Sequence, residues 1–214
     1  RDRSQTHRLR ALQLLKRYLE LGPLAVNLSL VVGIHSYVLK LLLSKTEDIK
    51  LPLISIWTSI LGYDVSCRQE LVSQKAQTYF IDALQTSSKG MPPAQLCMSA
   101  FILAEICNKY REGQQTCLNL GLHRACTSLL SQTDMPHSSS SDLKKWICLC
   151  LFKLCEGYEW AKYLCITELV HQHLYPLLRD SDPQVRTAAV LALGEVFGSS
   201  SVSYTHLRAH ETLM

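Results

Sequence analysis

Two stretches of the chain lie over one another without a gap: residues 38–62, VLKLLLSKTEDIKLPLISIWTSILG, and residues 174–198, LYPLLRDSDPQVRTAAVLALGEVFG. Leu42 then falls on Leu178, Ile49-Lys50 on Val185-Arg186, Ile60-Leu61 on Val196-Phe197, and Gly62 on Gly198. A third copy, LKKWICLCLFKL at 143–154, puts Leu143-Lys144 in the place of Val185-Arg186. A weaker fourth, QLCMSAFILAEICNKY at 95–110, puts Ala104-Glu105-Ile106 in the place of Gly194-Glu195-Val196. Long helices are therefore expected to begin near positions 49, 95, 143 and 185, roughly forty residues apart, the period of armadillo and HEAT solenoids. A unit of that size cannot bury its own apolar face and must stack on its neighbours.

The wording of the last copy explains one unit. Asp180 or Ser181 can cap the helix that Pro183 opens, because proline in the first turn loses no needed N–H and acidic residues suit the positive end. Val185, Ala188, Ala189, Ala192, Leu193 and Val196 recur at helical spacing as an apolar stripe, and the alanines admit a close neighbour. Gly198 is then expected to turn the chain. Shorter helices precede each long one. Gly22-Pro23 opens a short helix that Gly33 ends, 34–44 forms a second and 49–61 a third; 112–119, 122–132 and 142–156 repeat the plan around Gly121. Short, medium, long is the armadillo pattern, and 4–20 reads as the last helix of a preceding unit, with apolar surface at the open end. The expected fold is all-α: an armadillo/HEAT-type α-solenoid of about four three-helix repeats plus a partial N-terminal unit, spanning 1–201. Residues 135–141, rich in serine, read as a flexible loop. Residues 202–214 share nothing with the repeat, resemble a translated sequencing adapter and are set aside as a non-native tail.

Composition narrows the function. Of the net charge of +4, most comes from Arg1, Arg3, Arg8 and Arg10 against Asp2, so no basic stripe marks a nucleic-acid face. Asn27, Gly33 and Lys153 interrupt the apolar runs before they reach a membrane-spanning length, so no membrane insertion is expected. The nine cysteines form no CxxC pair and lie mostly in apolar helical runs, as small buried hydrophobes of a reducing compartment do. With an Arg-rich start unlike a signal peptide, a cytoplasmic location follows.

Chemistry finds little support. Cys165, His171 and His173 could be drawn as metal ligands, but 171 and 173 point to different sides of a helix. His206 and His210 have i, i+4 spacing without the glutamate of a metalloprotease motif. A cysteine–histidine nucleophilic pair would meet only in space. No phosphate-cradling loop occurs, no cofactor is expected, and Glu47, Asp48, Asp180 and Asp182 serve as caps or solvated charges. A solenoid does offer a ridge built from outward positions of its long helices. By alignment that ridge is Ser55 and Ser59, Phe101 and Glu105, Leu149 and Lys153, Leu191 and Glu195, with Trp146 and Trp160 as alternative anchors.

LGPLAVNLSLVVGIHSYVLKLL at 21–42, FILAEICNKYREGQQTCL at 101–118 and the closing LYPLLRDSDPQVRTAAVLALGEVFG, in that order, resemble the armadillo-like middle region of the Raptor family, regulatory subunits of TOR complex 1. The resemblance covers roughly residues 8–200, with the serine segment longer and the middle unit more divergent than in the family. It implies a non-enzymatic scaffold that docks TOR kinase and Rag-type GTPases in nutrient signalling, cytoplasmic with recruitment to the lysosome or vacuole surface. The family's caspase-like N-terminal region and C-terminal propeller lie outside this chain. An unrelated armadillo/HEAT transport or trafficking adaptor is the alternative. A cargo groove of that kind repeats outward Trp and Asn, whereas the aligned rows here read Ser, Phe, Leu, Leu and Ser, Glu, Lys, Glu.

Overall fold

The computed structural model describes residues 3–44, 46–85, 92–131 and 137–198. Among them are thirteen α-helices and no β-strand. After α1 (Arg3–Leu19) come four three-helix units: α2 (Pro23–Val31), α3 (Ile34–Leu42) and α4 (Lys50–Tyr63); α5 (Arg68–Ser73), α6 (Gln77–Gln85) and α7 (Pro93–Cys107); α8 (Arg111–Asn119), α9 (Leu122–Leu130) and α10 (His137–Cys155); α11 (Glu159–Thr167), α12 (Val170–Leu174) and α13 (Pro183–Phe197). The long helices α1, α4, α7, α10 and α13 pack in that order as one continuous row, and α6, α9 and α12 pack in a second. The array is the expected one, with α1 standing where the long helix of a preceding unit would stand.

Local chemistry places each boundary. In α13 the stripe Val185, Ala188, Ala189, Ala192, Leu193 and Val196 is buried throughout. Its cap, however, is Asp182, whose carboxylate accepts the Gln184 N–H at 2.8 Å. Asp180 instead accepts the Asp182 N–H and pairs with Lys144. Gly198 does not turn the chain through a left-handed conformation. Its φ is −62°, and glycine is required there because a Cβ would stand 2.7 Å from the Gly194 carbonyl oxygen. The serine segment is also corrected: 137–141 form the opening turns of α10, six residues ahead of the expected start. Residues 135–136 and the tail 199–214 lie outside the described residues.

Between the first and second helix of every unit the chain passes through one left-handed residue: Gly33, Lys75, Gly121 and Leu169, with φ of 81°, 57°, 79° and 59°. Glycine adopts this without cost, while lysine and leucine carry roughly 1–2 kcal/mol of strain. These four residues supply a register that aligns the units. The core they frame is one contiguous apolar cluster around Trp57, Phe80 and the long-helix stripes. Seven of the nine free cysteines are buried in it, with Cys67 and Cys97 half-buried. Burial pushes the thiols of Cys67 and Cys97 up to about 11 and that of Cys148 to about 12, so they pack as hydrophobes rather than react. No single helix among the described residues is long and apolar enough to cross a membrane; α2 and α3 would be together, but they meet at 86°.

Candidate docking surface

Counting back seven residues from each left-handed position gives Val26, Arg68, Gln114 and Lys162. The last three perform one task. Arg68 on α5 donates to the carbonyls of Glu105 and Asn108 at the end of α7. Gln114 on α8 donates to Lys153 and Glu156 at the end of α10, both at 2.9 Å. Lys162 on α11 donates to Gly198 at the end of α13, at 3.0 Å. Helix C-termini leave carbonyls without intrahelical partners, so the first helix of each of these units satisfies the last helix of the same unit. Val26 is buried and apolar; in the first unit Lys50 donates instead to Leu42 and Ser44 at the end of α3.

Two residues beyond each left-handed position stand His35, Gln77, His123 and His171. His35 Nε2 lies 3.1 Å from Glu70 of the next unit, and His123 Nε2 lies 3.0 Å from Glu168 of the next unit. Arg124 grips the same Glu168 with Nε at 2.8 Å and Nη2 at 2.6 Å. The Arg124 hydrogen bond, assisted by His123, holds Glu168 down at about 2. Burial pushes His123 below its ordinary value although Glu168 opposes that. These contacts fasten one unit to the next. They were not legible by helical periodicity, because the partners sit in different units.

The ridge residues are half-buried or exposed, with Phe101 and Leu149 packed against the core. Ser59 Oγ donates to the Ser55 carbonyl at 3.2 Å, a bond within α4. Phe101 meets Trp146 edge-on across α7 and α10, with ring centroids 4.9 Å apart. Glu105 accepts the Asn108 side chain at 3.1 Å, and Lys153 pairs with Glu156 at 2.9 Å. Glu195 is occupied by Lys162 Nζ at 2.9 Å and by the Gly157 N–H at 3.2 Å. Burial works to lower the Lys162 ammonium, but the hydrogen bonds it donates to Glu195 and Glu159 outweigh it and raise the group above its ordinary value. Leu149 and Leu191 are brought together: with Pro183, Thr187 and Ala188 they line a groove of about 370 Å³ between α10 and α13. At its rim Lys145 Nζ reaches Asp142 at 2.8 Å and Gln184 at 3.0 Å. An apolar floor with an anchored polar rim suits an inserted aliphatic side chain. Trp160 stacks on Tyr163, centroids 5.3 Å apart, away from this groove's lining.

The residues drawn as metal ligands go to separate neighbours. Cys165 Sγ lies 3.7 Å from Cys155 Sγ, His171 packs edge-on against Tyr175 and Phe197, and His173 Nδ1 meets Ser131 Oγ at 3.1 Å. Among the described residues no three His, Cys, Asp or Glu side chains converge to hold a metal. His206 and His210 lie outside the described residues.

The HEAT repeat family matches residues 172–198. "Protein raptor homolog" of Dictyostelium discoideum is 46% identical over 200 residues, covering 94% of this chain and 13% of the relative. "Regulatory-associated protein of TOR 1" of Arabidopsis thaliana is 43% identical over 192 residues, 89% of this chain and 14% of the relative. "Target of rapamycin complex 1 subunit mip1" of Schizosaccharomyces pombe is 38% identical over 199 residues, 91% of this chain and 15% of the relative. The chain thus spans about one seventh of the length of these relatives. A designed armadillo repeat protein superposes with a TM-score of 0.75 over 99% of this chain and 83% of its own at 17% identity, which speaks to the fold alone. The crystal structure of Chaetomium thermophilum Raptor superposes with a TM-score of 0.83 at 37% identity, over 98% of this chain and 20% of that one. Repeat plan, identity over most of the chain and superposition agree: the chain belongs to the Raptor family, as a segment of its helical-repeat solenoid.

Proposed function

We propose that this solenoid is a non-catalytic scaffold segment of TOR complex 1, docking TOR kinase and Rag-type GTPases, cytoplasmic and drawn to the lysosome or vacuole surface when nutrients signal. The observation that carries the reading is the Leu149–Leu191 groove on the row of long helices, in a chain of the Raptor family. Its ionisable side chains support the scaffold role: Glu168, Arg124, Lys162 and Glu195 are engaged in fastening helices together. Of the eight ridge residues, Leu149 and Leu191 are the partner contacts that the geometry favours, with Phe101 beside Trp146 as the next along the row. Ser55, Ser59, Glu105, Lys153 and Glu195 shape the ridge through internal bonds.

Affinity purification of the full-length protein tests this reading. TOR kinase is the expected co-purifying protein, and Leu149→Asp with Leu191→Asp should cut recovery of TOR or of the Rag-type GTPases roughly tenfold. Recovery of nuclear transport factors in place of TOR would overturn it.

A further inference from the structure

We draw no further inference here: the strongest candidate, the apolar groove between α10 and α13 lined by Leu149, Ala188 and Leu191, belongs to the docking surface already described, and nothing in the structure shows which partner covers it.

Discussion

The first and fourth units have the same three helices and close them differently. In the first, Lys50 at the start of α4 reaches back to the carbonyls of Leu42 and Ser44 and lies over the Tyr79 ring, 4.7 Å from its centroid. In the fourth, Lys162 runs from the first helix to the end of the third and sits between Glu159, Glu195 and the Gly198 carbonyl. The first unit turns through Gly33, the fourth through Leu169. In both units one ammonium group near the core caps helix-end carbonyls, from the third helix in the first unit and from the first helix in the fourth, where it also bridges Glu159 and Glu195. A repeat fold tolerates both because each satisfies the helix end it faces.

Removing the centre of the network should have the largest effect. Lys162→Met leaves Glu195 and Glu159 without their cation, and a loss of about 2–3 kcal/mol is expected in chemical denaturation. Adding Glu195→Gln to that variant should return part of it, since the double change removes the stranded charge as well. Lys50→Met strands the Leu42 and Ser44 carbonyls, and a loss of about 1–2 kcal/mol is expected. An equal or greater loss at Lys50 would break the distinction between the units. The turn residues give a smaller and oppositely signed pair. Gly33→Leu should destabilise by about 1 kcal/mol, and Leu169→Gly should stabilise by a similar amount in the same melting experiment, because only glycine is unstrained at these φ values.

The smallest effect is the pH response of the latch between the third and fourth units. His123 has a folded pKa below its ordinary 6.5, so its contribution is complete above that value and is lost as pH falls below it. Glu168 is held at about 2 against an ordinary 4.5, so its contribution is complete above 4.5 and is lost between there and about 2. Melting temperatures across pH should therefore decline in two stages. His123→Gln should remove the upper stage and Glu168→Gln the lower; a profile unchanged by either substitution would show that the latch does not couple to folding.

Much of the fold was legible because it depends on one-dimensional patterns. The stripe from Val185 to Val196 has helical spacing, Pro183 marks a helix start, and Gly33 and Gly121 mark turns. Where the same turns use Lys75 and Leu169, nothing in the residue type announces a left-handed backbone, and the common register of the four units stayed hidden. The opening of α10 was misread for a related reason: serine favours loops and caps, but four serines continue into a helix whose later turns are anchored between α7 and α13. Of the candidate ridge, outward placement followed from alignment, whereas the pairing of Leu149 with Leu191 around a groove did not.

Periodicity alone determined that this chain is a stack of helical units, since an apolar stripe repeated about every forty residues has no other way to leave water. Which polar groups meet, Arg68 with Asn108, Gln114 with Glu156, His123 with Glu168, only the tertiary structure decided. Those partners lie some forty residues apart, and a hydrogen bond depends on positions in space that a local pattern does not encode.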